Sequence, residues 1–419
     1  MATISILTLG TRGDVEPYLA LAHALRERGH DIRLAAPSTF DEPVEEQGIA
    51  FTPMAFDIAS EIRNPDVARL LAGNFARLPK VWRTVVVPMI SEMLAACWRA
   101  AADADLIIHH PKVFVATDIA EKTGARFICA SPVPTFPTGD FPIITATRDF
   151  GPTLNRLSWR ILGFSRLVYR SQITAWRART LGLKGGGPIN EPPGYHHGKP
   201  STALCAVSPS IVPRPTDWPS DWHMTGSWCR SEARASRGDH PLDPALDAFI
   251  EAGPTPVFIG FGSMPTPSGG DLSPIIEEAV RQSGLRAVIA KGWQNLTIEE
   301  DPDRIFTLEQ APYELLFPRM RAVVHHGGAG TTMTGLAAGR PTLIFPFGID
   351  QSFWGHRVER LGCGPQRLPV NKMTTTKLTE RLCALVSDPS YERGADRVRT
   401  MMAAEDGLGA AIEVIERLI

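Results

Sequence analysis

Residues 321–351 read RAVVHHGGAGTTMTGLAAGRPTLIFPFGIDQ. An apolar run gives way to two histidines and three glycines, then to small residues at helical spacing, then to a second apolar run. This is the order strand, glycine turn, helix, strand that builds a doubly wound α/β layer. A helix that begins on glycines turns its unpaired first-turn amides, and the positive end of its dipole, toward whatever approaches. Gly327, Gly328 and Gly330 permit close backbone approach, His326 offers a ring nitrogen, and Thr331 and Thr332 offer hydroxyls. Those groups together describe a phosphate cradle. It is not a Walker loop, because no lysine follows the glycines, and "GTRGDV", "GFGSMP" and "GGAGTT" all miss the dinucleotide fingerprint G-x-G-x-x-G. Tight helix–sheet packing is the alternative role for such glycines, and the flanking His-His and Thr-Thr pairs count against it.

The same alternation runs outward in both directions. "TPVFIGFGS", "LRAVIAKGW" and "RIFTLEQAP" read as strands, with helices at "SPIIEEAVRQSG", "YELLFPRM" and "SFWGHRVERLG". The chain opens likewise on "TISILTLGTRGDVEPYLALAHALRERGHDIRLAAP", with Tyr18, Leu21, Ala22 and Leu25 at helical spacing before a Gly29 stop. A proline-rich stretch between residues 208 and 244 interrupts the pattern. Two Rossmann-like, doubly wound domains are therefore expected, at 1–228 and 242–400, facing a central cleft. Residues 229–241 would be the linker and 401–419 a final helix returning to the first domain. Ligands of such sheets bind outside the carboxyl ends of the strands.

Composition narrows the function classes. The 419 residues are 43% hydrophobic and 21% charged with a formal net charge of −2, which excludes disorder and wholesale nucleic-acid binding. The six cysteines form no C-x-x-C pair, so a reducing, cytoplasmic setting is expected. The opening has no basic leader, and no uninterrupted apolar run reaches the roughly 18 residues of a membrane span.

"HHGGAGTT" with "LAAGRPTLIFPFGIDQSFWGHRVERLG" resembles the nucleotide-sugar signature of inverting glycosyltransferases with the two-domain GT-B fold. The opening resembles the branch of the UDP-glycosyltransferase superfamily that holds sterol glucosyltransferases and the vancomycin- and macrolide-type antibiotic enzymes. "NRLSWRILGFSRLVYRSQITAWRARTLGL", "SPSIVPRPTDWPSDWHMTGSW" and "FIGFGSM" resemble the sterol group in particular. The resemblance implies transfer of a hexose or deoxyhexose from a UDP- or TDP-sugar to a hydroxyl of a lipophilic acceptor, sterol-like or polyketide. The nucleotide sugar is then a co-substrate, and no cofactor or metal is implied.

It also assigns roles. Asp14 matches the family's catalytic base, and capping the first helix is its alternative role. The diphosphate would meet Thr11, Ser263, His326, Gly328, Gly330, Thr331 and Thr332; the family has serine where Thr11 stands. Asp350 and Gln351 match the acidic-Gln pair that receives sugar hydroxyls, with Trp354 beside them. Trp293, Gln310 and Ala311 correspond to loops near the nucleotide base. On the acceptor side, His110 ends a strand, and Phe136 and Phe141 lie in an apolar, loop-like segment. The triplets "DAD" (Asp103 to Asp105) and "DPD" (Asp301 to Asp303) read as solvated turns.

From Asp149 to Glu191 no acidic residue intervenes, while arginines recur. If one helix ran through, Arg156, Arg160, Arg166, Arg170 and Arg177 would share an arc of roughly 120°. Such a stripe suggests peripheral contact with an anionic membrane, against the plainer reading of a solvated face. Two rival functions keep the fold: a nucleotide-sugar epimerase, and a non-catalytic accessory protein that binds the nucleotide sugar.

Overall fold

Short apolar runs bounded by glycine turns become strands buried on both faces, as a parallel sheet covered by helices requires. The computed structural model describes residues 1–419 apart from 42–43, 45–46, 58–59, 62–63, 72–74, 147, 189–190, 229–241, 263–270 and 293–295. The expected linker and the expected site residues Ser263 and Trp293 thus lie outside the described residues.

The first sheet contains β1 (Thr3–Leu7), β2 (Asp31–Pro37), β3 (Ala50–Met54), β4 (Leu106–His109) and β5 (Arg126–Ser131). A small hairpin, β6 (Tyr195–His196) with β7 (Lys199–Pro200), precedes β8 (Ala203–Cys205) and β9 (Trp222–Met224). The second sheet holds β10 (Val257–Gly260), β11 (Ala287–Ala290), β12 (Ile305–Leu308), β13 (Val323–His325) and β14 (Thr342–Ile344). Strand order is β3-β2-β1-β4-β5-β8-β9 in the first sheet and β12-β11-β10-β13-β14 in the second. Pairing within both sheets is parallel, for example Ile4 opposite Ile32 and Leu106, and Phe258 opposite Val323. The winding reverses between β1 and β4, and again between β10 and β13. Loops part at such a reversal and leave a crevice at the strands' carboxyl ends.

Helices α1 (Arg12–Glu27), α2 (Val87–Ala101) and α3 (Ala116–Thr123) cover the first sheet. Helices α4 (Ser273–Ser283), α5 (Ala329–Ala337), α6 (Gln351–Leu361), α7 (Thr375–Ser387) and α8 (Pro389–Ala403) belong with the second. The chain then crosses back: Ser208 and Ser210 donate to Glu405 Oε1 at 2.8 and 2.6 Å, and α9 (Gly407–Glu416) buries Ala411, Ile412 and Ile415 beside Val15, Tyr18 and Leu25 of α1. The helical run Leu78–Ala101, which ends in α2, is long and apolar enough to cross a membrane by length and composition. Its residues Ile90, Met93, Leu94 and Cys97 instead pack beneath the first sheet.

One expectation fails. The arginine-rich segment is not a single striped helix but Pro152–Ser158, a 3₁₀ stretch Trp159–Gly163, Phe164–Val168, Arg170–Trp176 and a π stretch Arg177–Leu181. Arg166 and Arg177 turn inward, both onto the fully buried Asp118, and Arg177 also meets Glu121 at 2.9 Å. A buried guanidinium is tolerated only with such a carboxylate partner, and Asp118, too far back in sequence for a helical pattern to reveal, supplies it. The arginines therefore do not share one solvent face.

Candidate active site in the cleft between the sheets

The glycine stretch forms the crevice edge of the second sheet. After β13 the chain turns at Gly327 (φ 94°), and Gly328 caps α5. The first-turn amides of Ala329, Gly330 and Thr331 have no intrahelical acceptor and point out of the helix end. A Cβ on Gly328 would lie 2.6 Å from His326 Nε2, and one on Gly262 (φ 63°) would lie 2.9 Å from His326 Cε1. Glycine at both positions is what lets the His326 ring sit across the switch point. By contrast a Cβ on Gly330 would meet nothing within 4 Å, so the space above the helix end is open. Burial holds His326 down to about 4, so the ring is neutral near pH 7, and its Nδ1 has no partner among the described residues. Thr331 is partly exposed, but Thr332 is fully buried with its hydroxyl donated to Gly328 O at 2.8 Å. That hydroxyl faces the helix, not the cleft, which corrects the expectation for Thr332.

The crevice edge of the first sheet carries Asp14. It is the third residue of α1, and its Oδ2 accepts from the Thr11 amide at 3.0 Å, so Asp14 does cap the helix. Gly10 (φ 148°) makes room, since a Cβ there would sit 2.0 Å from Asp14 Oδ2. The other oxygen, Oδ1, accepts from Lys112 Nζ at 2.7 Å, and His110 Nε2 lies 3.3 Å from it. Burial alone would raise this carboxyl; the facing His110 ring and the Lys112 ammonium outweigh it and hold Asp14 well below the usual carboxylate range. His110 Nδ1 accepts from the Lys112 amide at 3.0 Å, which leaves the ring proton on Nε2, toward Asp14. Burial lowers the His110 pKa as well, so this imidazole stays neutral. Lys112 was not singled out from the sequence; its only signal is its place two residues after a strand-end histidine.

Asp350 stands before α6 and accepts from Trp354 Nε1 at 2.7 Å. The preceding Ile349 holds φ 55°, a conformation a β-branched residue rarely adopts, and is exposed, so the turn presenting Asp350 is strained. Trp354 is fully buried and orients Asp350 instead of walling an open pocket. Gln351 is also buried, with Oε1 accepting from the Phe347 and Gly348 amides at 2.6 and 3.2 Å. Its carbonyl is therefore spent on the loop after β14. Gln310 is exposed and lines, with Ala311, a recess beside Phe306 and Leu308. Phe141 packs on Phe353 at 5.3 Å under Arg357, at the contact between the domains. Phe136 is a correction: it is wholly enclosed by Trp218 and Trp222 and cannot wall an accessible pocket. Asp103 pairs with Arg33, Asp105 accepts from the Thr3 amide, and Asp301 accepts from the Asp303 amide, so the acidic triplets serve turns.

The two edges face each other. Burial foremost, and then the Asp14 carboxylate, push Asp350 above the usual range, against the Trp354 hydrogen bond and the Lys112 ammonium. For Arg12, burial opposes the charge, while Glu16 and then Glu314 of the second domain support it. Groups that follow β1 of the first sheet thus lie within electrostatic reach of groups that follow the edge strands β14 and β12 of the second.

Residues 4–142 match the model of the glycosyltransferase family 28 N-terminal domain, and residues 287–419 match that of the erythromycin biosynthesis protein CIII-like C-terminal domain. Sterol 3-beta-glucosyltransferase UGT80B1 of Arabidopsis thaliana is 32% identical over 99% of this chain and 68% of its own length. The chain belongs to the UDP-glycosyltransferase superfamily, on the branch of the sterol 3-beta-glucosyltransferases. Sterol 3-beta-glucosyltransferase UGT80A2 of the same plant is 34% identical over 98% of this chain, which spans 64% of that relative's length. The fold is GT-B: the crystal structure of the kitacinnamycin glycosyltransferase superposes with a TM-score of 0.71 at 20% identity, covering 100% of this chain and 99% of that one. The family resemblance singles out Asp14 and Asp350 in the sequence, and both stand just beyond the carboxyl ends of strands, after β1 and after β14.

The buried histidines of this glycosyltransferase-family chain make its stability depend on pH. His109 is held to about 4 by burial, and His325 lies well below its ordinary value for the same reason. A histidine depressed in the folded state leaves stability intact above its unfolded pKa near 6.5 and erodes it as pH falls toward the folded value. For His109 alone the loss by pH 4 is roughly 3 kcal/mol. We expect Tm to fall between pH 6.5 and 4, and His109→Gln to flatten that slope; calorimetry across this range checks both.

Proposed function

We propose that the protein is an inverting, metal-independent glycosyltransferase that moves a hexose or deoxyhexose from a UDP- or TDP-sugar to a hydroxyl of a lipophilic, sterol-like or polyketide acceptor held at a membrane. The observation that carries this reading is the opposition of Asp14, at the reversal of the first sheet, to the α5 cradle at the reversal of the second and to Asp350 after the neighbouring β14. The diphosphate lies against the first-turn amides of α5 and His326, where fixed dipoles stabilise the charge that grows as the sugar–phosphate bond breaks. Asp350 accepts from sugar hydroxyls. The acceptor oxygen attacks the anomeric carbon from the first domain, its proton passes to Asp14 Oδ1, and the bonding pair of the broken C–O bond leaves with the diphosphate. Attack opposite the leaving group inverts the anomeric centre.

A carboxylate this acidic is a weak base, so proton transfer comes late, once the attacking oxygen has itself become acidic. Lys112, half exposed on a flexible stem, yields its place at Oδ1 to the acceptor hydroxyl. Lys112→Met is expected to move the acid limb of the kcat/KM profile to higher pH, since Asp14 loses the charge that depresses it. An unmoved limb would detach Lys112 from the base. The five described cysteines are free, which supports a reducing, cytoplasmic setting.

The test is product analysis after incubation with UDP- or TDP-glucose and a sterol or macrolide acceptor, in the presence of EDTA. A glycoside of inverted anomeric configuration by NMR is the predicted product. Nucleoside diphosphate released without glycoside would point to epimerase chemistry, and no turnover of any donor to an accessory role.

A further inference from the structure

We propose that Phe150, Leu154, Leu157, Ile161, Phe164 and Val168 form a docking surface for an anionic lipid bilayer. The inference deepens the membrane contact in the function just proposed and rests on it. These six side chains are 40%, 55%, 53%, 61%, 48% and 53% exposed. Along the successive helical turns from Pro152 to Val168, exposed Leu154, Leu157, Ile161, Phe164 and Val168 alternate with the buried Asn155, Trp159, Gly163 and Arg166, and Phe150 stands exposed just before the first turn. The usual amphipathic order is inverted, with the apolar face outward. Trp159 locks the segment into the core shared by both domains, and Arg166 ties it to Asp118, so the face is held rigid. Trp82, stacked on Tyr169 at 5.5 Å, joins it to the start of the Leu78–Ala101 run, where Leu78 is 49% exposed.

Charge decides the occupant. Arg148, Arg160 and Arg170 are exposed beside the apolar face, Arg156 is exposed and paired with Asp217, and no acidic residue occurs between Asp149 and Glu191. The whole chain has a formal net charge of −2, so this basic rim is a local feature. Two copies meeting through this face would set arginines against arginines, whereas anionic headgroups neutralise the rim as the apolar side chains enter the acyl boundary. Directly behind the segment a cavity of about 70 Å³ is lined by Phe114, Phe127, Cys129, Leu162, Gly163 and Tyr195. A membrane-seated face would thus place this recess of the first domain, whose lining also includes His109, Arg166 and Glu191, next to the lipid that dissolves the acceptor.

The experiment is co-sedimentation of the full chain with phosphatidylcholine vesicles with and without phosphatidylserine, over a salt series, alongside sedimentation velocity in solution. The wild type should bind the phosphatidylserine vesicles and be released as salt rises. Leu157→Glu with Ile161→Glu, both exposed and so free of the core, should lower partitioning at least about 10-fold at unchanged Tm. Arg160→Glu should weaken binding only to the anionic vesicles. Wild-type chain that ignores vesicles, or a double variant that binds them as tightly, overturns the proposal. So does a wild-type dimer that the double variant abolishes without vesicle binding. Transfer to a cyclodextrin-delivered acceptor, measured in the same proteins, should be unchanged; its absence in a wild type that binds vesicles would sink the sugar-transfer reading and leave this one standing.

Discussion

Asp14→Asn is expected to lower kcat about 1000-fold while the affinity for UDP or TDP stays within about 3-fold of wild type. Asparagine keeps a side-chain oxygen that can accept the Thr11 amide, so the cap on α1 survives and folding is not at stake. What is lost is the carboxylate at Oδ1, where Lys112 and the His110 ring converge. The proposed donor contacts, Thr11 aside, lie on the other sheet, away from the substitution. Steady-state rates together with calorimetric nucleotide titration separate the two terms. A variant within 10-fold of wild-type kcat would remove Asp14 from proton transfer and leave it a capping residue.

Gly330→Asp addresses the opposite wall. A Cβ at this position meets nothing within 4 Å, and an acidic residue in the first turn of α5 complements the helix dipole. Tm should therefore hold or rise. Nucleoside diphosphate binding should weaken on the order of 100-fold, because a fixed carboxylate would occupy the open space where the phosphates are proposed to sit. Gly330→Ala, small and neutral, should lose far less. Unchanged nucleotide affinity in Gly330→Asp would move the donor site away from this helix end.

Much of this arrangement is legible in the sequence. Buried parallel strands read as continuous apolar runs, so both sheets could be placed, and loops that follow such strands in doubly wound folds carry the ligands. That put Asp14, His110 and the His326–Thr331 stretch on crevice edges. Side-chain direction was harder. Thr332 lies next to Thr331 in sequence, yet its hydroxyl bonds back to Gly328 O, a choice that helix geometry makes and composition does not record. Gln351 and Trp354 sit where the family pattern puts them, but the loop amides and Asp350 claim their polar atoms. Contacts distant along the chain were beyond reach. Lys112 meets Asp14 across 98 residues, and Arg166 and Arg177 are buried only because Asp118 lies on a neighbouring helix.

The central claim is that the diphosphate of an activated sugar is gripped at the reversal of the second sheet, opposite Asp14. A crystal structure of the chain with UDP or TDP tests it most directly. Phosphate oxygens should lie within hydrogen-bonding distance of the amides of Ala329, Gly330 and Thr331 and of the His326 ring. A diphosphate bound at the first sheet, or anywhere away from the start of α5, would contradict the account.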